Sequence, residues 1–166
     1  MSWQNEMVRI VRFLINDVDA STYSDGRLEE TVLIAAQLQM SAIDFNNTYT
    51  IDVDSLLLSP DPTESNPKDN WFINIVCTKA ACIILNSEAK TLAAQSYKIK
   101  DGPSSIEMAG AYQATKAIAD DMCNKLAVMI MQMKAGDSVG AQAILTPYTQ
   151  DGSSGGNSVR NFDYFT

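Results

Sequence analysis

A chain of 166 residues, 46% of them hydrophobic, is long enough for one sizeable core and too short for two comfortable domains. Its net charge of −8 argues against a surface built to neutralise phosphates, and the complete lack of histidine excludes most hydrolase mechanisms together with every imidazole-dependent triad. The charge is uneven, −7 over residues 1–68, +1 over 69–135 and −2 over 136–166, which fits either a solvated acidic face or head-to-tail contact between copies.

Taken in order, residues Trp3 to Asn16 read as an amphipathic first helix, with Trp3, Met7, Ile10, Val11 and Leu14 on one face and Arg9, Arg12 and Asn16 on the other. A polar break over Asp17–Thr22 follows. Ser24 is placed as the N-cap of a second helix whose first turns carry Asp25, Glu29 and Glu30, where the helix dipole favours acids, and which runs through Leu28, Val32, Ala35, Ala36 and Gln39 to about Phe45. Tyr23 stands where it can staple against Leu28. Thr48–Val53 alternates with β-branched residues, predicting one short strand or two, and Ser59 through Pro67 is a proline-rich excursion that cannot stay helical.

The third helix is predicted from Asn70 to about Ser96. Trp71, Ile75, Cys82 and Leu85 lie near one face with Phe72, Val76, Ala80 and Ile83 beside it, an apolar surface wide enough for a helix at the centre of the core or one covered by a neighbouring subunit. Lys98-Ile99-Lys100 is strand-like and Asp101-Gly102-Pro103 a turn. Ser104-Ser105-Ile106-Glu107 fits a capping box opening one long last helix, with a stripe through Ile106, Ala109, Ala117, Met122, Leu126, Ile130 and Met133. Beyond Lys134, Gly136 and Gly140 end that helix, and a Ser/Gly/Asn-rich spacer leads to Val159, Phe162, Tyr164 and Phe165. That ending reads either as a tethered docking arm or as a frayed tail tucked on its own core. The expected fold is mainly α: a four-helix body over 1–135 with a short β segment at about 48–58, and an extended C-terminal arm over 136–166.

Candidate chemistry is sparse. Cys77, Cys82 and Cys123 fall on apolar helix stripes and form no CxxC pair, so the pattern predicts reduced, buried thiols in a reducing compartment and no zinc site. Asp17/Asp19 and Asp52/Asp54 are spaced as calcium ligands could be but lack the glycine and glutamate of an EF-hand loop; turn and strand-edge carboxylates are the better reading. Gly136–Gly140 lacks the lysine of a phosphate loop, and Asp120 and Asp121 diverge on a helix. Met122, Met129, Met131 and Met133 read as helical core before binding surface. No catalytic residue, cofactor or metal ligand is assigned, and an enzyme is not expected. There is no basic-then-apolar secretory start and no run of 18 apolar residues, so neither export nor membrane spanning is expected.

Two segments resemble the head-tail connector, or adaptor, proteins of tailed bacteriophages. One is Val8-Arg9 through Leu14-Ile15-Asn16-Asp17, then Tyr23-Ser24-Asp25-Gly26-Arg27-Leu28-Glu29-Glu30 and Ala35-Ala36, a short helix with a Y-S-D-x-x-L opening to the next. The other is Ile99 to Glu107, similar to the D-G-x-x-S-I-D entry of the last helix, with Glu107 where aspartate is more usual. The Ser59–Pro67 excursion has no counterpart in that pattern. The resemblance implies a structural virion protein, assembled in the host cytoplasm and located in the virion neck. Its copies form a ring, typically dodecameric, beneath the portal protein, join tail or neck proteins, and extend a channel through which genomic DNA passes without specific binding. It also implies that the C-terminal arm, here Val159, Arg160, Phe162, Tyr164 and Phe165, grips the portal or a neighbouring subunit. The reading set beside it is a cytoplasmic helical protein-binding module without catalytic activity.

Overall fold

The computed structural model describes residues 2–95, 98–101, 104–107 and 109–137. They form four helices, α1 (Trp3–Leu14), α2 (Asp25–Met40), α3 (Asn70–Gln95) and α4 (Ala109–Asp137), and four strands, β1 (Thr50–Asp52), β2 (Leu57–Ser59), β3 (Lys98–Asp101) and β4 (Ser104–Glu107). The strands pair as two antiparallel hairpins, β1 with β2 and β3 with β4. The architecture is mainly helical with a short β segment, as the periodicity predicts. Backbone contacts divide the chain into Met1–Ile130 and Met131–Thr166, and of the second unit only the end of α4 is among the described residues.

The core of the first unit is built by α1, α2 and α3. Trp3, Met7, Val8 and Val11 from α1 meet Leu28, Val32, Leu33, Ala35 and Ala36 from α2 and Phe72, Ile73, Val76, Cys77 and Ala80 from α3, all buried. The predicted apolar face of α2 is buried throughout, Gln39 included. α1 ends two residues earlier than the pattern predicts. Asn16 adopts a left-handed backbone (φ 59°), its amide donates to the Phe13 carbonyl, and the Asp17 amide reaches back to the Arg12 carbonyl. That is the paired closure which satisfies the last free carbonyls of a helix. α2 opens as expected, with the Ser24 hydroxyl accepting from the Arg27 amide at 3.4 Å.

α3 is the central element. Its Asn70–Ala94 stretch is long and apolar enough by composition to cross a membrane, with an 18-residue window of mean hydropathy 1.3, yet 67% of that window is buried inside the protein, the situation of a core helix. Phe72 anchors it, stacked on Tyr49 at 3.9 Å and edge-on to Phe45 at 5.2 Å, a geometry aromatic pairs favour. Trp71 departs from the expected face and is 47% exposed, while Phe72 and Ile73 in the same turn are buried. Between α2 and α3, Thr50↔Ser59, Ile51↔Leu58 and Asp52↔Leu57 set the register of the first hairpin. The alternation there buries Leu58 and exposes its two neighbours.

The capping box expected at Ser104–Glu107 is not formed. Those residues are β4, paired Lys98↔Glu107, Ile99↔Ile106, Lys100↔Ser105 and Asp101↔Ser104, and α4 begins at Ala109. Antiparallel pairing with β3 replaces the cap as the organising interaction of this segment. The stripe of α4 shifts accordingly: Ala119, Met122, Leu126 and Met133 are buried, whereas Ala117, expected to be buried, is exposed. Met131 is 69% exposed, so the methionines of α4 divide between core and surface.

Candidate functional site

The densest polar cluster is where α1, the following turn and α2 meet. Arg12, which the amphipathic pattern assigns to the solvent face, is 7% exposed. Its Nη1 donates to the Asp17 carboxylate at 2.7 Å, its Nη2 to the Tyr23 carbonyl at 2.8 Å and to Asp25 Oδ1 at 2.5 Å. The Asp17 carboxylate also accepts the backbone amides of Ser21 (3.1 Å), Thr22 (3.0 Å) and Tyr23 (3.1 Å). Burial pushes the Asp17 carboxyl up, but the amides of Thr22 and Tyr23, the Arg12 charge and the Ser21 amide outweigh it, holding the group below its ordinary value of 3.8.

Tyr23 extends the cluster to α3. Its hydroxyl donates to Glu88, and the Arg27 guanidinium lies 4.9 Å from its ring centre, within reach of a cation–π contact. Burial first, then the hydrogen bond to the Glu88 carboxylate, raises the phenol far above its ordinary value. Two clefts flank this corner, one of about 340 Å³ beside Arg9, Arg12, Val18 and Glu29, the other of about 360 Å³ beside Tyr23, Arg27, Ser87 and Glu88. Chemically the corner neutralises charge: Arg12 faces two carboxylates, and Asp17 is committed to three amides and a guanidinium. Asp17 is thus a turn carboxylate, as expected from the missing glycine and glutamate of a calcium loop. Asp52 is one as well: its carboxylate accepts the Ser55 hydroxyl at 2.6 Å and the amides of Asp54 and Ser55, and the Ser55 hydroxyl above all lowers its pKa.

A second polar centre gives the proline-rich segment a role. The Asp61 carboxylate accepts the Trp3 amide at 2.8 Å, capping α1 from 58 residues away, while its other oxygen holds the Thr63 amide and hydroxyl. Ser2, the local N-cap residue, makes no side-chain cap. Lys68 pairs with Glu6 of α1, and Pro62 is fully buried. Asp69 then caps α3 through the Phe72 amide (3.0 Å) while accepting from Asn47 (2.9 Å) and the Tyr49 hydroxyl (2.7 Å). Burial, and then the bond to Asp69, raise Tyr49 in the same sense as Tyr23.

The cysteines correct the sequence expectation. Cys82 and Cys123 form a disulfide, with Cα atoms 5.3 Å apart, joining α3 to α4, and Cys77 alone is a buried free thiol whose pKa is pushed up by burial. Two cysteines 41 residues apart carry no local signal of pairing; only the antiparallel packing of α3 and α4 brings them together. Among the described residues no three His, Cys, Asp or Glu side chains gather as a metal site requires. Asp120 and Asp121 pair separately along α4, with Lys116 and Lys125. Val159, Arg160, Phe162, Tyr164 and Phe165 lie outside the described residues, as does the rest of the expected arm beyond Asp137. Sequence reasoning missed Arg12 and Asp61. For Arg12 a signal existed, an arginine in the last helical turn with an aspartate five residues on and a run of small polar residues after it; Asp61 had none. Comparison with protein-family models, curated proteins and solved structures finds no match.

Proposed function

We propose that the chain is a structural virion protein of a tailed phage, forming a ring beneath the portal that extends the DNA channel and joins capsid to tail or neck components. The observation that carries the reading is the number of large apolar side chains left outside the helical body: Phe13, Trp71, Ile118 and Val128 are each about half exposed or more, and Ile34 and Leu38 stand one turn apart on the outer side of α2. An outward-facing apolar pair such as Ile34 and Leu38 is the start of the kind of patch used for contact with other chains. The resemblance of Val8–Ala36 to connector proteins supplies the kind of assembly, and the net charge of −8 suits a channel wall that does not hold phosphate. In this reading the aromatic residues of 157–166 engage the portal or the next subunit.

The test is the mass, by light scattering, of the full chain alone and with purified portal and neck proteins. The expected result is a closed multimer or a defined complex with portal, with portal association weakened by deleting residues 157–166. A particle that stays monomeric at high concentration and ignores both partners overturns the proposal in favour of a helical binding module.

A further inference from the structure

The attachment of α4 to the rest of its unit is narrow. α1, α2 and α3 share one large buried cluster to which α4 contributes no buried side chain. α4 meets α3 instead in a separate, small cluster of Ala81, Cys82, Leu85, Ala119 and Met122, with Leu14, Ile15 and Cys123 packed at its edge. Two of those five buried side chains are alanines, and beyond them Leu126 is buried one turn after Met122, so a modest apolar area holds the helix in place. Further along, a contact of 3.9 Å between the Thr78 hydroxyl and the Met129 sulfur joins the two helices, and both partners are weak hydrogen-bonding groups. The Cys82–Cys123 disulfide lies in the middle of this seam.

We propose that this disulfide is a redox latch: its reduction by a dithiol frees α4 from α3 and leaves the α1–α2–α3 body folded. Cys123 is the more exposed of the two cysteines and Cys82 is 7% exposed, so the entering thiolate attacks the Cys123 sulfur and Cys82 leaves as thiolate. Asn86 stands ready for that charge, its Nδ2 being 3.5 Å from the Cys82 sulfur and 3.2 Å from that of Cys123. The second thiol of the reductant then attacks its own sulfur in the mixed disulfide and releases Cys123. Two electrons and two protons pass to the protein, which ends with two thiols, while the dithiol becomes a cyclic disulfide. Cys77 takes no part, because it is fully buried and its thiol resists ionisation. The latch follows from the fold alone and does not depend on the proposed function.

Hydrogen exchange read by mass spectrometry on the full chain, oxidised and then treated with dithiothreitol, tests it. The expected result is exchange at least about tenfold faster across residues 110–130 after reduction, with 72–85 and the buried turns of α1 and α2 unchanged. Cys82→Ser and Cys123→Ser should each show the reduced pattern without reductant, and Cys77→Ala the oxidised one. The proposal is overturned if air-oxidised protein titrates with three free thiols on denaturation, if α4 stays protected after the bond is shown to be cleaved, or if all four helices lose protection together. Should the serine variants fail to fold, the dithiothreitol titration of the unaltered chain decides the matter by itself.

Discussion

Arg12 occupies a position that an amphipathic helix would give to water, and it is buried because three elements converge on its guanidinium. Removing one member of a buried pair leaves the other charged and without its counter-ion, so Arg12→Met should lower stability by about 3 kcal/mol in urea unfolding. The pH dependence follows from the Asp17 carboxyl, whose folded pKa lies below its unfolded value near 3.8. The folded form binds that proton more weakly, so the contribution is complete above about pH 4 and is lost as the pH falls through the folded value. The gap between wild type and Arg12→Met should therefore narrow below about pH 4. Tyr23 and Tyr49 behave in the opposite sense. Their folded pKa values are raised by burial and by bonds to Glu88 and Asp69, so their stabilisation is present below about pH 10 and fades above it. An ultraviolet titration should show a late-ionising fraction, and Tyr23→Phe and Tyr49→Phe should each reduce it.

Among the elements, α1 shows how a helix can be closed by distant chain. Its C-terminus is sealed locally, by the left-handed Asn16, but its N-terminus takes its side-chain cap from Asp61 in the proline-rich segment. Asp61→Ala should destabilise the protein by about 1 kcal/mol, the usual cost of losing a cap, and speed amide exchange in the first turn of α1 before anything else. α4 is held in a different way. Its bridge to α3 spans 41 residues, and closing a loop of that length restrains the unfolded chain by about 4 kcal/mol in the chain-entropy description. The i,i+4 pairs Lys116–Asp120 and Asp121–Lys125 are exposed and add only tenths of a kcal/mol each. The hairpin β3–β4 stands where a helix start was expected, and the lesson is specific. Ser-Ser-Ile-Glu has the vocabulary of a cap and also the alternation of a strand, and the presence of Lys98–Asp101 as a pairing partner decides between them.

For the molecule as a whole, the proposed ring assembly predicts that the exposed apolar side chains matter for multimer formation and little for the stability of the single chain. Trp71→Gln, Ile118→Gln and Val128→Gln should each change unfolding stability by no more than about 0.5 kcal/mol, while the triple variant should fail to reach the multimer mass in light scattering. The sequence alone determined the four helices, the capped start of α2, the buried face of α2 and the wide apolar surface of α3, because apolar spacing and Ser24 are local signals that report directly on which face meets a core, while only the structure decided that α3 is central. Tertiary structure decided the burial of Arg12, the capping of α1 by Asp61, the strand at Ser104–Glu107 and the pairing of Cys82 with Cys123. Each of those depends on a partner distant along the chain or on a competing partner for the same backbone group, and local periodicity carries no information about which distant residue arrives.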